Sequence, residues 1–145
     1  MTYSLSVILL SGPIASGKTT LARDLVHHVS AEWISTSGLI SATAGRELDR
    51  GELQSLGLGA DFQGARWIAD EVMRVAARSP VGSVIVVDSV RTLEQVRGLR
   101  KAAPGAWRIL HVHLHGENGQ LAARHAASQR GRDGTWDEIM LSPAE

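Results

Sequence analysis

Gly12, Gly17, Lys18 and Thr19 occupy the fixed positions of G-x-x-x-x-G-K-[ST], with Pro13 to Ser16 between the glycines. Glycines there let a loop wrap with its backbone N–H groups pointing inward. A helix starting at the lysine adds the positive end of its dipole, so the pattern favours phosphate oxygens. The lysine of such a loop bridges the β- and γ-phosphates of a nucleoside triphosphate, and the threonine after it ligates Mg2+. The nucleotide-binding set is therefore Gly12, Ala15, Ser16, Gly17, Lys18, Thr19 and Thr20, with ATP and Mg2+ as the implied cofactors. Lys18 and Lys101 are the only lysines, so a lysine in this slot is not a by-product of a lysine-rich surface. Asp88 ends the apolar run VIVVD, a place from which a carboxylate reaches the magnesium and the reacting oxygens; it equally suits the cap of a following helix. Arg91 would reach the same crevice, where its planar fork suits an acceptor phosphate; a solvated surface arginine is the plainer alternative.

These residues work only if strands and helices bring them together. Leu5 to Leu10 read as a buried strand, and TTLARDLVHHVS after the loop reads as an amphipathic helix to about Ser30, with Leu21, Leu25 and Val29 on one side. EWIST gives a short second strand, and residues 38 to 57 read as mixed, short helical pieces punctuated by glycine. From Asp61 to Arg78, apolar residues recur at helical spacing (Phe62, Ala65, Ile68, Ala69, Val72 and Val75 or Ala76) until Ser79-Pro80 ends the run. VGSVIVVD has the continuous β-branched character of a central parallel strand. TLEQVRGLRKAA is a helix, WRILHVHLH a fourth strand, and GQLAARHAASQRGRDG begins as a helix and decays into an arginine-rich loop. Strands alternating with helices predict a three-layer α/β/α sandwich on a parallel sheet, with the ligand at the carboxyl ends of the strands.

Composition narrows the function classes. The 145 residues are 43% hydrophobic and carry no net charge, which fits one globular domain with no nucleic acid as main partner. The chain has no cysteine and no run of transmembrane length, and its apolar N-terminus lacks a basic leader, so no membrane partner and a cytoplasmic setting are expected.

The segments GPIASGKTT, WISTSGLIS, RGELQSLG, VIVVDSVR and RHAASQRGRD together resemble the nucleoside monophosphate kinases, particularly the branch with small deoxynucleotide kinases and dephospho-CoA-kinase-like proteins. The resemblance implies the P-loop kinase fold over residues 1–145. It places an acceptor-binding segment at about 35–60 and a lid at about 117–134. It puts Ser35, Thr36 and Ser37 at the acceptor pocket, Arg50 and Arg91 on the acceptor phosphate, and Asp88 beside the metal with Thr19. It makes Arg124 and Arg130 catalytic alongside Lys18 and Asp88, and Arg132 a nucleotide contact. Two departures stand out: adenylate kinases carry arginine where this chain has Ser41, and the chain stops where the family adds another strand and helix. The sheet is then reduced to four strands, or the chain is the N-terminal part of a longer protein. A second copy or a further domain would otherwise cover the open edge.

His111, His113 and His115 alternate, so on a strand they share one face; with no cysteine or evident carboxylate to complete a metal site, packed or hydrogen-bonded histidines are expected, with His115 near the crevice. Three readings follow: a kinase passing the γ-phosphate of ATP to a nucleoside monophosphate, a hydroxyl kinase with Asp88 as base, and an ATP-binding or sensing module of a larger protein. The guanine motif Asn-Lys-x-Asp is absent.

Overall fold

The computed structural model describes residues 4–46, 52, 55–56 and 66–128. Strand β1, Leu5–Ser11, runs into the glycine loop, and helix α1, Lys18–Val29, starts directly after Gly17. Strand β2 is Glu32–Ser35 and helix α2 is Thr36–Ala44. Helix α3, Trp67–Ala76, precedes β3, Ser83–Asp88; helix α4, Leu93–Ala102, precedes β4, Trp107–His113; helix α5, Asn118–Ala127, follows.

The four strands form one parallel sheet in the order β2-β3-β1-β4. Alternation along the strands gives each face its own core. Leu5, Val7, Leu9, Ile85 and Val87 pack with Ile68, Val72 and Val75 of α3 and Val96 and Leu99 of α4. Leu10 and Val86 pack with Ala22 of α1, flanked by Ile8, Leu21, Leu25 and Val84. Helices thus cover both faces, and the expected three-layer α/β/α architecture with its P-loop kinase topology is what the chain adopts. Strand β3 lies between β2 and β1 and is buried over Ile85–Asp88, as a β-branched run in a parallel sheet should be.

Two elements differ from expectation. The stretch expected to be mixed from residue 38 opens as one helix, α2, because the Ser35 hydroxyl accepts a hydrogen bond from the Gly38 N–H at 3.2 Å and supplies an N-cap. Gly45, at φ 71°, closes that helix. The fourth strand ends at His113 and not at His115, where the Leu114 N–H turns to the Ser11 carbonyl at 2.8 Å. Of the predicted helix over 61–78, residues 61–65 lie outside the described residues, and Trp67–Ala76 is helical, with Ile68, Ala69, Val72 and Val75 buried as the periodicity requires. No helix among the described residues is long and apolar enough to cross a membrane.

Candidate active site

At the carboxyl end of β1 the chain makes a loop that glycine alone accommodates at its first position. Gly12 has φ 138°, and a β-carbon there would stand 2.3 Å from the Leu114 carbonyl oxygen. Ala15 and Gly17 also adopt positive φ, 61° and 92°. A non-glycine residue held in the left-handed region costs about 1 kcal/mol or more, a strain typical of ligand-binding loops. The Lys18 ammonium donates to the carbonyls of Gly12 and Pro13, both at 2.6 Å, and to the Ser16 hydroxyl at 3.4 Å. Ser16 is buried, and its N–H closes the turn onto the Pro13 carbonyl.

The fold joins this loop to the end of β3. The Thr19 hydroxyl donates to Asp88 Oδ2 at 2.9 Å across 69 residues of sequence. Ser89 donates to the other carboxylate oxygen at 3.0 Å, so both oxygens of a side chain only 4% exposed are oriented by hydroxyls. Ser89 itself stands at φ 71°, immediately after the carboxylate. A threonine and a carboxylate in contact, beside a glycine loop and a helix N-terminus, are the hard oxygen donors that Mg2+ takes with a nucleotide's phosphates. Thr19 and Asp88 would hold the metal, and Lys18 with the loop N–H groups would hold the phosphates; bound there, the metal neutralises charge on the phosphate oxygens.

A cleft of about 650 Å3 opens over these groups. Its walls are the loop from Ser11 to Thr20, the segment from Ser89 through the start of α4, the end of β4 and one side of α5. Lys18, Arg91 and Arg124 line it together with His111, His113, His115 and His125, and none of its described lining residues is Asp or Glu. Arg91 is fixed by the local cap: the Thr92 hydroxyl accepts from the Gln95 N–H at 3.3 Å, and the Gln95 side-chain oxygen accepts from the N–H groups of Arg91 and Thr92 at 2.9 and 3.4 Å.

The expected acceptor triplet lies on the neighbouring strand end and is not part of the described cleft wall. Ser35 caps α2 and meets the Ser37 hydroxyl at 3.0 Å, while Thr36, buried, donates to the Ser89 carbonyl at 3.1 Å. Thr36 therefore ties the start of α2 to the residue beside Asp88. Arg50, Arg130 and Arg132 lie outside the described residues, as do residues 47–51, 53–54 and 57–60 of the expected acceptor segment and the end of the expected lid.

Sequence reasoning missed Ser11. Its hydroxyl stands 2.7 Å from His111 Nε2 and 2.9 Å from His113 Nδ1 on the adjacent strand. The alternation of HVH showed that the histidines share a face; their partner, a hundred residues earlier, follows only from the pairing of Ser11 with His113 in the sheet. Burial, then the neighbouring His113 and Arg100, holds the His111 imidazole below its ordinary value. No group of three metal-ligating side chains occurs among the described residues.

A parallel sheet ordered β2-β3-β1-β4, with a glycine loop between β1 and α1 and an acidic residue at the end of β3, defines a P-loop protein of the kinase fold. The chain belongs to the AAA domain family, whose model matches residues 7–139. It is similar in fold to a gluconokinase from Sinorhizobium meliloti 1021, with a TM-score of 0.58 and 21% identity over 98% of this chain and 74% of that one. A sugar kinase from Janibacter sp. HTCC2649 matches with a TM-score of 0.59 and 20% identity over 97% and 78% of the two chains. A shikimate kinase from Acinetobacter baumannii matches with a TM-score of 0.57 and 14% identity over 95% and 74%. No curated protein matches the sequence. What these matches share with the nucleoside monophosphate kinases is the fold; they do not single out that group.

Proposed function

We propose that the protein transfers the γ-phosphoryl group of Mg-ATP to a small anionic acceptor, a nucleoside monophosphate. The observation that carries this reading is the charge of the cleft. Thr19 lines the cleft while its partner Asp88 is buried, and the described wall holds Arg91, Arg124 and the histidines with no Asp or Glu, an environment suited to a second anion opposite the triphosphate. Lys18 holds the β- and γ-phosphates, Thr19 and Asp88 hold the metal, Arg91 binds the acceptor phosphate through its fork, and Arg124 offsets charge on the oxygens in flight. Arg130 and Arg132 would add to that charge from the lid, and Ser35, Thr36, Ser37 and Arg50 would flank the acceptor. Phosphoryl transfer needs little more than such positioning and charge.

A second reading is favoured by one feature. Asp88 is held at the end of β3 against Thr19 of the phosphate loop, a position from which a carboxylate can accept the proton of an attacking alcohol. The acceptor would then be a hydroxylated acid of the kind named by the gluconokinase and the shikimate kinase, or dephospho-CoA.

ADP release from Mg-ATP, measured across ribo- and deoxynucleoside monophosphates, dephospho-CoA, gluconate and shikimate with Lys18→Ala as control, separates these readings. Turnover with one nucleoside monophosphate, abolished in Lys18→Ala, is the expected result. Turnover only with a hydroxylated acceptor moves the function to the second reading. Tight ATP binding without acceptor-dependent turnover moves it to a nucleotide-sensing module.

A further inference from the structure

The loop, the metal-binding pair and the arginines account for most of the polar groups of the cleft but leave Ser11, His111 and His113 without a role. Ser11 ends β1, and His111 and His113 stand beside it on β4, two residues apart on the face that carries the cleft. One hydroxyl lies within hydrogen-bond distance of both imidazoles, through Nε2 of His111 and Nδ1 of His113.

Counting protons at this junction gives the cluster its chemistry. The Ser11 hydroxyl has one proton, so when it donates to one imidazole it accepts from the other. With both rings neutral, one outward ring nitrogen then bears N–H and the other a lone pair. Adding a single proton turns that lone pair into a second donor. Both outward nitrogens, His111 Nδ1 and His113 Nε2, then present N–H, and the pair carries one positive charge. Neither makes another hydrogen bond among the described residues.

The surroundings select the ligand. Lys18, Arg91 and Arg124 line the same cleft with His115 and His125, and Arg100 of α4 is near enough for its charge to act on His111. Burial, then the neighbouring His113 and Arg100, opposes an extra proton on His111 while the cleft holds no anion. An oxyanion in the cleft reverses the balance, because its charge attracts the proton and it accepts from the N–H of the ring it meets.

We infer that His111 and His113, coupled through the Ser11 hydroxyl, form an oxyanion subsite on the β4 wall that binds a phosphate or carboxylate group and takes up one proton from solvent with it. The inference rests on the phosphoryl-transfer reading for the molecule that bears the anion, which would be the acceptor; the subsite itself requires no turnover.

Calorimetric titration tests it at pH 7 with inorganic phosphate and, in a parallel arm, acetate, each in two buffers of different ionisation enthalpy, with chloride matching the ionic strength. The same titrations are run on Lys18→Ala, in which the P-loop is disabled, and imidazole 15N shifts are followed for all six histidines. The expected result is saturable phosphate binding with net proton uptake, shifts at His111 and His113, and persistence of both in Lys18→Ala. His111→Gln with His113→Gln should weaken binding about tenfold or more and remove the proton uptake. Response to acetate as well assigns a general oxyanion site, and response to phosphate alone a phosphate site. Binding without proton uptake, binding abolished by Lys18→Ala, or shifts reproduced by chloride would each overturn the inference. Should the double variant not fold, the wild-type and Lys18→Ala titrations decide the matter. Failure of the kinase reading would instead appear as absent turnover with these titrations intact.

Discussion

Arg91 illustrates how a single side chain is made ready for a ligand. Its backbone N–H is held by Gln95, which fixes where the guanidinium leaves the chain, and its side chain lines the cleft. If it binds the acceptor phosphate, Arg91→Ala should raise the acceptor KM about tenfold or more and leave the KM for ATP nearly unchanged, as steady-state kinetics with both substrates varied would report. An unchanged acceptor KM would move that role to another cation. At this scale the phosphate loop and Asp88 were legible in the sequence, because their residue types follow from phosphate and magnesium chemistry. The Ser35–Thr36–Ser37 triplet was not legible in the same way. In the described structure its hydroxyls cap α2 and bond the Ser89 carbonyl, and a run of hydroxyls reads alike whether it also meets a ligand or only the chain's own backbone.

At the scale of elements, caps decide where helices begin and hence where the site residues stand. Helix α4 starts with a reciprocal pair, Thr92 accepting from Gln95 and Gln95 accepting from the residues before it. Thr92→Ala should cost about 1 kcal/mol, measured as a lower urea midpoint with an unchanged slope. Because the same cap holds the Arg91 N–H, some loss of acceptor affinity should accompany it. The capping pattern of α4 is visible in RTLEQ. That of α2 was obscured, since TSGLISATA has neither charges nor a clear apolar period and contains Gly38; the Ser35 cap, the Gly45 close and the packing of Leu39 against the core define it.

Across the whole molecule, the order of the strands turns sequence neighbours into strangers and distant residues into partners. Alternating strands and helices announced a parallel sheet, whereas the order β2-β3-β1-β4 sets which strand ends meet. That order places Thr19 against Asp88 and Ser11 against His111. Folding therefore carries a proton linkage. His111 is held below its ordinary value of 6.5, so the unfolded chain takes up the proton more readily than the folded one. Above that value the residue is neutral in both states and costs nothing. As pH falls through it, stability is lost. Urea unfolding from pH 8 to 5 should show this decline, and His111→Gln should flatten it; an unaltered slope in the variant would assign the linkage to other groups.

Lys18 lends the cleft a property of its own. With its ammonium already satisfied by the carbonyls of Gly12 and Pro13, the loop contains an internal rival for every incoming anion. A guest that draws on the lysine must displace two short hydrogen bonds, so a singly charged ion gains less from it than a triphosphate does. Several oxygens at once can replace both bonds and meet the loop N–H groups as well, which ties the lysine's release to the fuller ligand.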